Sequence, residues 1–134
     1  MDGDIKLYID VEKEIIKINE SYINITAILK NIANEKIEIT EGFAEGYNTV
    51  FYLTIPINVT FNAIGNDEKK IFDKITLNPN QDINYHLNIK DLSFYTEEIG
   101  NMEYLQWNQT GIYSLKLFYS LPIYSNLIYF NITK

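Results

Sequence analysis

The sequence of 134 residues has the length of one domain, and a hydrophobic fraction of 46% favours a folded globule over a disordered chain. The complete lack of cysteine excludes a disulfide-stapled scaffold, thiol catalysis and thiolate-bound zinc. The net charge of -7 disfavours binding to the phosphate backbone of nucleic acids. There is no apolar run of membrane-spanning length and no secretory leader pattern, so we expect any membrane attachment to come from a segment outside this sequence.

Alternation of apolar and polar residues, the pattern of half-buried strands, dominates the first half of the chain. It predicts strands at 4–11, 14–18, 22–32, 36–40 and 49–64, with a glycine-containing loop at 41–48. We expect residues 14–18 to continue the first strand or to pair beside it. Pro56 lacks an N–H group for a β-ladder, so 49–64 is an edge strand, a bulged strand, or two strands meeting at a corner. Ile57 is expected to point inward with its alternating neighbours.

The second half continues the alternation, apart from residues 91–107, where the weak pattern would allow a helical turn. It predicts strands at 69–77, 83–92, 110–121 and 127–134, with turns at 65–68, 78–82 and 122–126. About eight short strands without a long helix indicate an all-β fold. We therefore expect a single domain over residues 1–134, a two-sheet antiparallel immunoglobulin-like β-sandwich of about seven to nine strands.

The start of the penultimate strand carries a local signature of such sandwiches. Gly111 stands two residues before Tyr113, which shares the inward parity of Leu115 and Leu117. In immunoglobulin-like domains a tyrosine at this place donates a hydrogen bond to the preceding connection, forming a tyrosine corner. Tyr113 is therefore predicted to be structural.

The order of these motifs carries a resemblance. The segment "ITAILKNIANEKIEI", the turn "LNPN", Trp107 and then "TGIYSLKLFY" together resemble immunoglobulin-like modules of prokaryotic surface proteins. The layout is also similar to the bacterial intracellular proteinase-inhibitor family and to archaeal envelope domains that anchor the archaellum motor. The resemblance implies structural roles for Asn31, Pro79, Gly111 and Tyr113, and no inhibitory loop of that family matches this sequence.

Residues with catalytic chemistry are sparse. The only histidine, His86, falls on the outward parity of its strand and has no partner in sequence that would make it a base or a ligand. Acidic pairs occur at Asp2 with Asp4, Asp67 with Glu68, and Glu97 with Glu98. Turns of this kind can bind calcium, but none has EF-hand spacing, and solvated acidic turns are the usual case. We expect no enzyme activity, no cofactor and no metal.

Five sequons for N-glycosylation start at Asn19, Asn24, Asn58, Asn108 and Asn131. Strand alternation by itself places Asn and Thr two residues apart on one face, which explains Asn24, Asn58 and Asn131 without a glycan. Asn19 and Asn108 fall in predicted turns, where alternation has no such effect. These two sites favour a glycoprotein at the cell surface over a cytoplasmic protein.

The terminal hairpin places apolar residues on its outward side. The alternation places on the outward side Ile112, Ser114, Lys116, Phe118 and Ser120 of one strand, and Leu127, Tyr129 and Asn131 of the next. A short loop would set Phe118 opposite or near Tyr129, with Leu127 beside them. Tyr52 has outward parity on another strand. We predict that Phe118, Leu127, Tyr129 and Tyr52 form an interface for a partner or for a second copy in a homodimer.

The leading hypothesis is a non-enzymatic immunoglobulin-like module of an archaeal or other prokaryotic surface protein. It would hold a neighbouring envelope or S-layer component, or part of a surface appendage, and it would not bind nucleic acid. One alternative is a protease inhibitor acting through a loop at 41–48 or 91–107. Another is a carbohydrate-binding accessory domain that uses exposed aromatic residues of 91–107.

Overall fold

A computed structural model describes residues 4–40, 49–64, 74–98, 100–119 and 122–134, and the predicted loop at 41–48 and turn at 65–68 lie outside these ranges. The described residues form thirteen β-strands and one 3-10 turn at Ile89–Asp91, with no α-helix. The strands are β1 (Ile5–Val11), β2 (Ile15–Lys17), β3 (Asn24–Asn31), β4 (Ile37–Thr40), β5 (Thr49–Thr54), β6 (Thr60–Ile64), β7 (Lys74–Leu77), β8 (Asp82–Asn88), β9 (Tyr95–Glu98), β10 (Asn101–Tyr104), β11 (Gly111–Tyr119), β12 (Ile123–Tyr124) and β13 (Ile128–Thr133).

The strands form two facing sheets and a separate two-stranded ribbon of β4 and β7, which confirms the all-β sandwich. The small sheet has the order β1-β3-β8, and the large sheet has the order β10-β9-β6-β5-β11-β13-β2, with β12 paired to β11. The first order corresponds to strands A, B and E of an immunoglobulin domain, and β6-β5-β11-β13 corresponds to its C′-C-F-G side. The arrangement is therefore immunoglobulin-like.

The core lies between the two sheets and follows the predicted parity. Ile25, Ala27 and Leu29 of β3 are buried from one side, and Leu115 and Leu117 of β11 are buried from the other. These side chains belong to one continuous hydrophobic cluster. Each strand thus contributes one of its two faces to the core, since successive side chains point to opposite sides of a sheet.

Pro56 lies in the hairpin loop between β5 and β6, so the stretch 49–64 is two strands rather than one. The N–H of Asn58 donates to the carbonyl of Ile55 at 2.8 Å, and Asn58 has a positive φ of 64°. A turn followed by one left-handed residue is a common three-residue hairpin loop. The prediction that Ile57 points inward is wrong, because this loop interrupts the alternation and leaves Ile57 60% exposed.

Two other sequence predictions are corrected by strand pairing. Residues Ile15–Lys17 neither continue β1 nor pair beside it, because β2 crosses to the large sheet and pairs in parallel with β13. Residues 91–107 hold the antiparallel hairpin of β9 and β10 in place of a helical turn. This hairpin joins β6 through the pair Asn62 and Tyr95 and so widens the large sheet.

Asn31 stabilises the bend at which β3 and β8 continue into the two-stranded ribbon of β4 and β7. The side chain is fully buried, and its Nδ2 donates to the carbonyls of Glu35 and Leu77, each at 2.9 Å. Its Oδ1 accepts from the N–H of Ala33 at 2.8 Å. Every hydrogen-bonding atom of this amide is used, which is the condition for burying a polar side chain without a large cost. The structural role that the resemblance implied for Asn31 is confirmed.

Replacing Asn31→Ala should lower the free energy of unfolding by about 2–4 kcal/mol, because two carbonyls and one N–H group lose their partner in a buried place. Urea unfolding followed by circular dichroism would measure the loss. The exposed Asn84 on β8 supplies the control, since Asn84→Ala should change stability by no more than about 0.5 kcal/mol. Equal losses in the two variants would contradict the role of Asn31.

Tyr113 forms the predicted tyrosine corner at the start of β11. Its hydroxyl donates to the carbonyl of Gln109 at 2.7 Å. The buried ring stacks between Trp107 and Phe130, with ring centroids at 5.7 and 5.5 Å. Gly111 has a φ of +130°, and a side chain there would place its Cβ 3.0 Å from Cγ of Pro56. Burial raises the pKa of the Tyr113 hydroxyl above its ordinary value of 10.0.

Tyr113→Phe should lower the free energy of unfolding by about 1–2 kcal/mol, because the carbonyl of Gln109 loses its donor. The raised pKa means that the hydroxyl ionises at lower pH in the unfolded chain than in the folded one. Its contribution to stability is therefore complete below about pH 10 and is lost as the pH rises further. The difference in the free energy of unfolding between wild type and variant, measured by urea unfolding, should be smaller above pH 10 than at pH 7. A difference that stays constant would contradict this account.

Candidate interaction face

The outer faces of the two sheets differ in chemistry. The outer side of the small sheet is mostly polar, with Lys6, Asp10, Asn24, Thr26, Lys30, Asp82, Asn84 and His86 among its outward residues. The outer side of the large sheet carries aromatic and other large apolar residues. We call this second surface the aromatic face and define it by Tyr52, Tyr95, Met102, Tyr104, Phe118, Tyr124 and Tyr129.

Strand pairing aligns the outward side chains of the large sheet in rows. One row crosses five strands through Lys116, Tyr52, Asn62, Tyr95 and Tyr104. The neighbouring row holds Tyr124, Phe118, Val50 and Ile64. Because paired residues of adjacent strands lie within side-chain contact, the rows form a continuous surface.

This surface contains most of the apolar side chains that the described residues expose. Of the eleven large hydrophobic residues that are exposed, seven point outward from the large sheet: Ile15, Ile64, Met102, Tyr104, Ile112, Tyr124 and Tyr129. Single exposed apolar residues are normal on a protein surface, whereas a contiguous patch indicates an interaction site.

Ring contacts order the central part of the aromatic face. Phe118 packs against Tyr124 with ring centroids 4.9 Å apart, and Nζ of Lys116 lies 4.3 Å from the centroid of the same tyrosine. Tyr95 contacts Tyr104 at 6.4 Å near the opposite edge of the sheet. Aromatic side chains held in this way lose little conformational entropy when a partner covers them.

Charge is scarce on the same surface. Among the described residues that point outward from the large sheet, only Lys116, Glu97 and Lys17 are charged, and Lys17 lies on the edge strand β2. Enrichment in tyrosine and methionine together with depletion of charge is the composition of the buried centre of a protein interface.

The predicted pairing of Phe118 with Tyr129 is wrong. Phe118 pairs with Tyr124, while Tyr129 pairs with Ser114. The last hairpin includes the short strand β12, and residues 125–127 oppose only residues 116–117, which is a β-bulge. The bulge turns Asn126 towards the edge of β1, where its side chain makes hydrogen bonds of 2.8 and 3.0 Å with the backbone of Ile9.

The residues predicted to form an interface reach the surface to different extents. Tyr129 is 58% exposed and Leu127, in the bulge, is 48% exposed. Tyr52 and Phe118 point outward and are half-buried among their neighbours. Sequence reasoning missed Tyr95, Met102, Tyr104 and Tyr124, because it did not predict the β9–β10 hairpin or β12.

The five sequons divide between turns and strands. Asn19, Asn58 and Asn108 are exposed, in the turn after β2, the β5–β6 hairpin loop and the connection before β11 respectively. The assignment of Asn58 to a strand is therefore wrong. Asn24 and Asn131 lie within strands and are half-buried, and Nδ2 of Asn24 lies 3.3 Å from Oε2 of Glu12. Asn131 points outward beside Tyr129, next to the aromatic face.

The remaining candidate residues include His86 and the acidic residues of the described ranges. His86 is exposed on the small sheet, as predicted, and its Nδ1 lies 2.9 Å from Oγ1 of Thr26. The residues that the structure describes contain no cluster of three or more histidine and acidic residues suited to a metal. They also contain no helix long and apolar enough to span a membrane.

A cleft of about 290 Å³ lies between β6, the β9–β10 hairpin and the segment that precedes β11. Its lining mixes apolar side chains such as Ile55 and Phe61 with polar ones such as Glu103 and Gln109, and includes the ring of Tyr104. Trp107 is not part of this lining. Its ring packs against Phe94 and Tyr113, and the side chain is partly buried against the core.

No protein-family model matches the sequence, and no curated protein matches it. Among solved structures, a β-glucosidase from Erythrobacter marinus is similar, with 10% identity over 96% of this chain and a TM-score of 0.53. A β-glucosidase from Listeria innocua, in complex with glucose, has 15% identity over 97% of this chain and a TM-score of 0.50. This chain spans only 15% and 16% of those chains, and likeness at such low identity shows the fold alone.

The CARDB domain of a Pyrococcus furiosus protein, solved in complex with di-metal ions, is also similar in structure. It aligns over 97% of this chain and 88% of its own length, with 8% identity and a TM-score of 0.47.

Proposed function

We propose that this chain is a non-enzymatic interaction module of a prokaryotic surface protein, and that it docks a neighbouring envelope protein through the aromatic face. The observation that carries the proposal is the contrast between the two outer surfaces of the sandwich. One is mostly polar, as expected for a surface in water, and the other combines exposed tyrosines with only three charged side chains, one of them on the edge strand β2.

The aromatic face covers part of the area of a standard protein interface. With strands about 4.8 Å apart and about 3.4 Å per residue, the six strand positions from β10 to β13 cover a rectangle of roughly 24 by 17 Å. That projected area of roughly 400 Å², before the relief of the side chains is added, is about half of the roughly 800 Å² per partner of a standard protein interface. Few of the outward side chains on this surface are charged, so a partner with an apolar sheet or helix face would complement it.

The docking proposal is tested by replacing the two most exposed central tyrosines. Tyr124→Lys combined with Tyr129→Lys should lower binding to envelope fragments of the producing cells by about thirtyfold or more, because tyrosines at the centre of an interface carry much of its affinity. Binding of the purified, labelled domain would be measured by co-sedimentation at several concentrations.

The matched control carries the same change on the other outer surface. Tyr8→Lys combined with Tyr22→Lys places two lysines on the small-sheet side, where Tyr22 is 65% exposed. This variant should bind like wild type, and both variants should unfold at wild-type urea concentrations. Undiminished binding of the first variant, or equal losses in both, would contradict docking through the aromatic face.

The location that we propose is the outside of the cell, and the exposed sequons support it. Asn19, Asn58 and Asn108 are exposed and lie outside the strands. A glycan on Asn131 would stand beside Tyr129 and obstruct the aromatic face. We therefore propose that the turn sequons carry glycans and that Asn131 does not.

Mass spectrometry of the protein purified from its own cells tests this location. The expected spectrum shows glycan mass on peptides that contain Asn19, Asn58 or Asn108, and Asn108→Gln should remove one such increment. The peptide that contains Asn131 should have its unmodified mass. Unmodified peptides at all five sequons would remove the glycosylation support for a surface location.

The two other functions that the sequence allowed stay predictions with less support. The loop at 41–48 lies outside the described residues, and 91–107 is largely a β-hairpin in place of an extended inhibitory loop. Carbohydrate binding would use Tyr104 and the adjoining cleft, because Trp107 does not line that cleft and is partly buried against the core. Neither has an observation as direct as the chemistry of the aromatic face.

A further inference from the structure

We infer that the aromatic face binds a second copy of this chain, in a two-fold dimer that pairs Lys116 of each copy with Glu97 of the other. The inference rests on the proposed use of this face for docking and names its partner. It starts from Lys116 and Glu97, two charges within the face that have opposite sign and stand on different strands.

Lys116 and Glu97 cannot pair within one chain. β11 and β9 are separated by β5 and β6, and Glu97 lies two residues beyond the row that contains Lys116. The standard strand spacing and rise place the two residues about 16 Å apart. Each of these two charges is therefore left without an opposite charge beside it on its own surface, among the residues that the structure describes.

A face-to-face dimer gives both charges a partner of opposite sign. In a two-fold interface, if one residue of the first copy meets another residue of the second, the reciprocal contact forms as well. The two-fold axis lies in the plane of the contact, and it is perpendicular to the line that joins Lys116 to Glu97 and passes through the midpoint of that line. It therefore crosses the face between β5 and β6. Two lysine–glutamate pairs then form symmetrically around the centre of the contact.

The same axis matches apolar groups with apolar groups. Applying it to the strand layout places Phe118 of one copy over Met102 and Tyr104 of the other, because β11 then lies across β9 and β10. Both ends of the contact thus bury aromatic or thioether side chains, and the charged pairs lie between them. Nζ of Lys116 is already held above the ring of Tyr124, so the cation is oriented before the partner arrives.

Charge reversal tests this pairing directly. In purified protein, Lys116→Glu alone places two glutamates opposite each other at each pair, and Glu97→Lys alone places two lysines there. Each single variant should weaken the dimer at least tenfold in Kd, measured by sedimentation equilibrium. An equimolar mixture of the two variants restores opposite charges at both pairs and should return the Kd to within about threefold of wild type.

The control reverses a charge on the outer side of the small sheet. Lys30→Glu should leave the Kd of the dimer unchanged, and circular dichroism should show the same β-sheet spectrum for every variant. A wild-type protein that stays monomeric at about 100 μM would overturn the dimer. The dimer would also be overturned if its Kd is unchanged by the single charge reversals, or if the mixture does not restore the wild-type Kd. Any of these results combined with tyrosine-dependent binding to envelope fragments would leave docking to a different protein intact.

Discussion

The hydrogen bond from Tyr113 to the carbonyl of Gln109 fixes the point at which β11 enters the large sheet. β11 pairs with β5 on one side and with β13 on the other, so its position sets the register of three strands. A slip of one residue would exchange the two faces of a strand. The tyrosine corner therefore determines that Leu115 and Leu117 enter the core, while Lys116 and Phe118 point away from it.

The same constraint explains why the aromatic face is exposed. A strand buries one side in a two-layer sandwich, and the small sheet already covers the inner side of the large one. The outward tyrosines consequently have no place in the core of this chain. Their presence on several adjacent strands, with few charges among them, is the observation behind the proposed contact with another protein surface. The outer side of the small sheet, by contrast, is mostly polar, as expected of a surface that faces water.

Alternation predicted the core and the fold class because it reports directly on which side of a strand is buried. It failed where structure depends on pairing between distant segments. The alternation predicts that residues 14–18 continue the first strand or pair beside it, yet β2 pairs with β13, and no local pattern encodes that choice. The β9–β10 hairpin was missed because all four residues of β10 are exposed, so no buried side marks the strand in the sequence.

The candidate site was predicted in part for the same reason. The outward parity of Tyr52, Phe118 and Tyr129 follows from the sequence, whereas the contact of Phe118 with Tyr124 requires β12 and the bulge at 125–127. A one-residue bulge shifts every later pair of the hairpin. Tyr95 and Tyr104, which extend the aromatic face by two strands, become neighbours of Tyr52 only through the pairing of β6 with β9.

The central claim is that the aromatic face is covered in the assembled state, and hydroxyl-radical footprinting of tyrosines measures this for every copy. The labelling of Tyr104, Tyr124 and Tyr129 would be compared between the isolated, diluted domain and the intact cell envelope. The account predicts that these three tyrosines become protected in the envelope, while Tyr8 and Tyr22 on the small-sheet side are labelled equally in both samples. Protection of Tyr8 and Tyr22 with continued labelling of Tyr124 and Tyr129 would contradict it.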